Sequence, residues 1–177
     1  MYLRLMSQGD VPQVTEIDRE AFPTLWPPAN YERELKNGLA HYIVAGDEGR
    51  HHIMGFAGIW MLVDEAHITN IAVREKHRRQ GIGEALLIAI IELAIELEAQ
   101  LITLEVRASN TEAQKLYAKY GFVRVGLRRG YYTDNREDAV LMTIEDVKSA
   151  QVKKKLKRLK RAHSEEMKKL LTKANKS

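Results

Sequence analysis

Hydrophobic and polar positions change period several times along the chain, and each change marks an element. Tyr2 to Met6 alternates as a short strand does. Asp10 is placed to cap a helix whose apolar positions Val11, Val14, Ile17 and Ala21 keep helical spacing, with Pro12 tolerated in the first turn. The prolines of Phe22-Pro23-Thr24-Leu25-Trp26-Pro27-Pro28 end that helix, and a short one from Tyr31 to Leu39 follows. His41 to Ala45 and His52 to Leu62 read as hairpin strands around Gly46-Asp47-Glu48-Gly49-Arg50. Gly55 and Gly58 inside the second strand predict a bulge or a close backbone approach.

An apolar strand from Ile68 to Val73 then leads through a basic turn, Arg78 to Gly83, into a helix from Ile82 to about Glu98. That helix is apolar almost all round, with only Glu84, Glu92, Glu96 and Glu98 forming a narrow polar strip. It is expected to lie buried between a sheet and another layer. A strand over Leu101 to Val106, a helix over Thr111 to Tyr120 and strands over Phe122 to Leu127 and Ala139 to Ile144 complete a mixed α/β sandwich.

The 177 residues suit one domain with a sizeable core. The absence of cysteine excludes disulfides, thiolate metal sites and a cysteine acyl-enzyme. His51 and His52 point to opposite faces if they lie on a strand, and no third ligand sits at a useful spacing, so no metal site is expected. The longest purely apolar run, Ala85 to Ile91, is too short to span a bilayer. With no secretory pattern after Met1, a cytoplasmic protein is expected.

Charge divides the chain in two. Ten lysines and two arginines against two glutamates give residues 148–177 a charge of +10, which leaves −6 on residues 1–147 of a chain whose total is +4. An acidic body and a basic tail are two electrostatic objects, and the tail, 147–177, is read as an extension that is helical or partly disordered. Val152, Leu156, Leu159, Met167 and Leu170 give the extension a broken apolar stripe. A solvated tail, self-association, RNA contact and membrane-surface contact all remain open for it.

The strongest chemical signal is the order strand, glycine turn, helix. The first N–H groups of a helix lack internal partners and sit at the positive end of its dipole, so an anion is stabilised there. Gly81 and Gly83 allow close approach, and Arg78 and Arg79 add positive charge. The spacing fits neither a dinucleotide fingerprint nor a P-loop.

Arg78-x-x-Gly81-x-Gly83, placed between Asn70-Ile71-Ala72-Val73 and Leu104-Glu105-Val106-Arg107-Ala108-Ser109-Asn110, resembles the pyrophosphate loop of the GNAT superfamily of acetyl-coenzyme A dependent N-acetyltransferases. Leu116-Tyr117, Tyr120-Gly121-Phe122, and Arg128-Arg129-Gly130-Tyr131-Tyr132 with Arg136-Glu137-Asp138-Ala139 extend the likeness to the RimI branch. That branch comprises N-terminal alanine acetyltransferases of a small-subunit ribosomal protein. The resemblance covers residues 1 to about 146, which sets 1–146 as the folded domain and leaves 147–177 outside it, and it implies a mixed, mostly antiparallel central sheet flanked by helices.

It also implies roles. Ile71, Ala72 and Val73 would bind the pantetheine arm through their backbone, with Val73 N–H as an oxyanion donor. Arg78, Arg79, Gln80, Gly81, Ile82, Gly83 and Glu84 would hold the pyrophosphate, and Asn110 would contact the coenzyme. Glu84 departs from the family, where a basic residue is common at this place. Glu105 matches the general base and Tyr117 the general acid toward the thiolate; without the motif they read as a solvent-facing carboxylate and a core aromatic. Phe22 and Trp26, in a loop that borders the family's acceptor site, and Tyr131 and Tyr132 would bind the substrate, or else serve as buried connector and stacking residues.

An α-amine with pKa ~8 is about one-tenth neutral at pH 7, whereas a lysine at ~10.4 is neutral in about one part in 2,500. A modest carboxylate therefore suffices for an N-terminal amine. The expected function is acetyl transfer from acetyl-coenzyme A, in a direct ternary complex, to a protein N-terminus. The expected acceptor is the alanine of a ribosomal protein. A lysine or small-amine acetyltransferase, and a non-catalytic acyl-coenzyme A binding module with a partner-binding tail, are the alternatives.

Overall fold

A computed structural model describes residues 1–22, 28–48 and 52–174. Trp26 and His51 lie outside the described residues. Strand β1 (Tyr2–Leu5) leads to helices α1 (Val11–Ala21) and α2 (Pro28–Glu34). Strands β2 (Ala40–Gly46), β3 (Ile53–Leu62) and β4 (Glu65–Val73) follow. Then come α3 (Ile82–Glu96), β5 (Leu101–Arg107), α4 (Thr111–Lys119), β6 (Val123–Arg128), β7 (Ala139–Ile144) and α5 (Ala150–Ala174). The strands form one seven-stranded sheet in the order β1-β2-β3-β4-β5-β7-β6. Every neighbouring pair is antiparallel except β4 and β5.

Two apolar cores cover the two sheet faces. On one, Val11, Val14 and Ile17 of α1 and Tyr31 of α2 pack against Tyr42, Val44, Phe56 and Ala72. On the other, α3 is buried nearly all round, through Ile82, Ala85, Leu86, Leu87, Ile88, Ile90, Ile91 and Ala94. Its second covering layer includes α5, which buries Leu156 and packs Val152 and Leu159 on the same core. Lys160 Nζ pairs with Glu92 at 2.7 Å, and Lys148 Nζ with Glu98 at 2.6 Å. The basic face of α5 thus points outward while its apolar stripe is used.

Asp10 does not cap α1. A 3-10 turn over Gln8–Asp10 runs straight into the helix, which puts Asp10 itself in helical backbone. Its carboxylate instead accepts from Ser7 N–H (2.8 Å), Ser7 Oγ (2.9 Å) and both Arg4 guanidinium nitrogens. Helix α2 stops at Glu34, short of the expected Leu39, because Asn37 accepts from Leu39 N–H through its own side chain and turns the chain.

The glycines of β3 act as the sequence suggests. A Cβ at Gly55 would lie 2.7 Å from Ala72 O, and one at Gly58 would lie 2.3 Å from the Tyr42 ring and 2.8 Å from Asn70 Oδ1. Register slips at this point: Gly58 faces Asn70 but Ile59 faces Ile68, so Thr69 is bulged out of β4. The bulge has a consequence on the other edge of β4. Pairing with β5 runs only from Glu65–Leu101 to Ile68–Leu104, and beyond it the two parallel strands part.

Candidate active site

The parting of β4 and β5 opens a cavity of about 430 Å³ lined by both strands. Arg74 N–H crosses to Met54 O on β3 at 2.8 Å. Since backbone groups alternate between the two edges of a strand, the N–H groups of Ile71 and Val73 face the opened side. Ala72, expected beside them, is buried against the α1 layer, and the same alternation turns its backbone groups toward β3, so it offers none to the opened side. Arg78 Nε donates to Val73 O (3.2 Å), and Gln80 Nε2 to Lys76 O, which shapes the turn before α3.

At that turn Gly81 has φ +78°, a conformation glycine adopts without strain, and it stands at the N-cap of α3 with no side chain to cover the first turn. A Cβ at Gly83 would meet only Val73 Cγ2, at 3.7 Å, so the space above it is open. Arg79 is exposed and pairs loosely with Glu112 at 3.6 Å. Ile82 is a core residue. Glu84 lines the space beside the turn, accepting from Lys119 Nζ and Tyr120 OH, both at 2.6 Å. Burial pulls its pKa up, but these two donors outweigh burial and hold the carboxyl below its usual range. The carboxylate that departs from the family's pattern is therefore internally neutralised. The N–H-rich cradle at the start of a 15-residue helix, open above Gly83, fits a diphosphate group.

Glu105 sits at the mouth of the strand opening with its side chain only 7% exposed. It is not a solvent-facing carboxylate. Its Oε2 lies 2.5 Å from His67 Nε2 on β4, and its Oε1 lies 3.1 Å from Arg128 Nε on β6. The His67 hydrogen bond, and then the His67 and Arg128 charges, overcome burial and hold Glu105 below the normal carboxylate range. Tyr117 of α4 lines the same cavity, packed on Phe122 at 5.8 Å between ring centroids. Burial raises its hydroxyl to about 12, with a smaller push from Tyr132. Asn110 caps α4, accepting from Ala113 N–H at 3.1 Å, and also lines the cavity.

Phe22, Tyr131 and Tyr132 reach the outer part of this cavity. The two tyrosines meet edge to face at 5.2 Å, and the Arg107 guanidinium stacks on Tyr132 at 3.9 Å. Arg107 also pairs with Asp134 (2.8 Å) and Glu137 (3.3 Å), and Glu137 accepts from Ser109 N–H at 2.7 Å. The Ser109 contacts lead those that hold the Glu137 carboxyl at about 2. The tyrosine loop is therefore pinned, through Arg107, to the strand that carries Glu105.

Three residues at this cavity were not singled out from sequence: His67, Arg107 as the loop anchor, and Trp60, whose Nε1 donates to Glu34 at 2.6 Å. His67 lies beside Glu105 only because its register partner is Thr103, and cross-strand register in a parallel pair carries no local signal. Among the described residues no group of three or more histidine and carboxylate side chains is placed to hold a metal ion. None of the described helices is long and apolar enough to cross a membrane.

The sequence matches the acetyltransferase (GNAT) family over residues 11–122. It is 42% identical over 143 residues to a Bacillus subtilis (strain 168) protein with the provisional name ribosomal protein bS18-alanine N-acetyltransferase, covering 80% of this chain and 93% of that one. It is 34% identical over 137 residues to the ribosomal protein bS18-alanine N-acetyltransferase of Escherichia coli (strain K12), covering 76% and 90%. The crystal structure of the Escherichia coli ribosomal-protein-S18-alanine N-acetyltransferase superposes with a TM-score of 0.74 at 31% identity, over 82% of this chain and 93% of that one. The splayed β4–β5 edge, the glycine turn and these likenesses agree, and the chain belongs to the GNAT family of N-acetyltransferases.

Proposed function

We propose that this chain acetylates the α-amine of a protein N-terminus, the alanine of ribosomal protein bS18 being the acceptor, in a direct ternary complex. The observation that carries the reading is the meeting of Glu105, His67 and Tyr117 around the opening between β4 and β5, beside the backbone N–H groups of Ile71 and Val73. The names of the relatives support the acceptor.

Acetyl-coenzyme A supplies the acetyl group as a thioester. The turn from Arg78 to Glu84 would hold its diphosphate, and the Ile71 and Val73 N–H groups would bind its pantetheine arm as an added strand. Val73 N–H faces the open side, where it can stabilise the negative charge that develops on the carbonyl oxygen. Glu105 and His67 share a hydrogen bond and accept the amine proton as a pair, directly or through a water molecule. Tyr117, with its pKa near 12, stays protonated through the physiological range and holds the proton that the departing sulfur takes. Tyr131, Tyr132 and Phe22 frame the entry of the acceptor's first residues. Trp26 is proposed with them on the strength of its loop.

The outward face of α5, including Lys153, Lys154, Lys157, Arg158, Lys168 and Lys169, is exposed and basic, which supports contact with ribosomal RNA. Ribosome co-sedimentation at low and high salt, with and without charge reversal on this face, tests that part. The acceptor is tested by thiol release with a bS18 N-terminal peptide beginning with alanine, against the same peptide with its α-amine blocked and an internal lysine free. Turnover is expected only with the free α-amine. Turnover of the blocked peptide would move the acceptor to lysine.

A further inference from the structure

The family match ends at residue 122, yet α5 reaches the phosphate end of the site. Its Met167 and His163 lie over Gly81: a Cβ there would stand 2.7 Å from Met167 Sδ and 2.9 Å from His163 Cε1. A second cavity, about 380 Å³, is shared by the start of α3, by α4 and by α5, with His163 and Met167 in its wall. Arg79 lines it together with three carboxylates, Glu84, Glu112 and Glu166, of which Glu84 pairs with Lys119 and Glu112 with Lys115 and Arg79.

His163 stands out on its helix. Its side chain is 8% exposed, its Nδ1 lies 3.7 Å from Glu84 Oε2, and its Nε2 is enclosed without a hydrogen-bond partner. A polar nitrogen left this way carries a desolvation cost that a leucine, continuing the Leu156 and Leu159 stripe, would avoid. The charged groups around it come from every neighbouring element: Glu84 of α3, Lys119 of α4 and Glu166 of α5. Burial lowers the His163 pKa, while Glu84 and Glu166 push it upward. An anion on the far side of the ring would add to that push and favour a ring that carries both protons.

We propose that α5 is part of the coenzyme site: His163 donates a hydrogen bond to the diphosphate held at the N-terminus of α3, and Met167 closes that side of the cradle. The inference rests on the acetyl-coenzyme A reading above. It makes the C-terminal helix a third wall of the phosphate site, added to the glycine turn and α4, and explains why a buried polar residue continues the apolar stripe by which α5 packs on the core.

The test is calorimetric binding of coenzyme A to the full chain, to His163→Leu and to His163→Gln, alongside turnover of S-acetylpantetheine, which ends before the diphosphate. Leucine fills the site without a donor; glutamine keeps one. The expected result is binding about tenfold or more weaker in His163→Leu, intermediate in His163→Gln, with S-acetylpantetheine turnover unchanged in both. Coenzyme A binding to His163→Leu as tight as wild type, or tighter, would overturn the proposal and leave the acetyltransferase reading standing. Equal losses in coenzyme binding and S-acetylpantetheine turnover would assign His163 to packing and also overturn it. If the wild-type protein bound no coenzyme A, the reading above would fail, and this proposal with it.

Discussion

Replacing Glu105 by glutamine removes a charge while keeping the shape, which makes it the most informative single change. Removing a general base ordinarily costs about 10²- to 10⁴-fold in rate. An α-amine is already about one-tenth neutral at pH 7, so the loss should fall near the lower end, about 10²-fold in kcat. The cost to folding is small by comparison. Glu105 is 7% exposed, but His67 is 28% and Arg128 54% exposed, so water already screens both partners. The amide oxygen can still accept one of the two hydrogen bonds. A loss of about 1 kcal/mol follows, well below the 3–5 kcal/mol of a fully buried pair, and it should lower Tm by about 2–4 °C. Such a loss leaves almost every molecule folded, so a hundredfold fall in kcat cannot arise from unfolding. The assay is thiol release at saturating acetyl-coenzyme A and peptide, with calorimetric Tm measured on the same preparation. A kcat within about threefold of wild type, together with the small Tm shift, would refute Glu105 as the proton acceptor.

Tyr117→Phe should lower kcat by about 10²-fold with little change in peptide KM, and since the hydroxyl sits at about 12 the wild-type rate should show no basic limb from it below about pH 10. Arg107→Ala frees the tyrosine loop and should raise peptide KM about tenfold while kcat changes less, measured in the same assay. Gly55→Ala drives a Cβ against a backbone carbonyl that cannot rotate away and should cost about 1–3 kcal/mol by urea denaturation; an unchanged midpoint would contradict the packing described for β3. The folded-state pKa of Glu105 is depressed, so its contribution to stability is complete above its unfolded value of about 4.5 and is lost as pH falls through the lower folded value. Acid melts of wild type and Glu105→Gln should therefore converge below that range and separate above it.

The strands were legible in the sequence because their apolar runs are bounded by turn residues, and the glycines of β3 marked the bulge before any pairing was known. Errors gathered at element ends, where a single local contact decides: the Asn37 side-chain turn cuts α2 short, and Glu98, at φ +68°, ends α3 at Glu96. The motif residues Glu105, Tyr117, Gly81 and Gly83 could be named because the family's pattern holds them in one order. What the pattern could not give was partnership. His67 lies in the part of β4 that precedes the expected strand start at Ile68, and only the parallel register with β5 brings it to Glu105. The neutralisation of Glu84 and the seat of α5 are likewise products of side chains distant in sequence: Lys119, Tyr120 and His163.

The acetyl group's destination decides the matter. Purified protein, acetyl-coenzyme A and intact bS18 carrying its native N-terminal alanine should yield a product in which fragment mass spectrometry finds the acetyl group on the α-amine, at a rate that falls about 10²-fold with Glu105→Gln. Acetyl groups on lysine side chains alone, or modification of the α-amine at an undiminished rate in Glu105→Gln, would contradict the reading of the opening between β4 and β5.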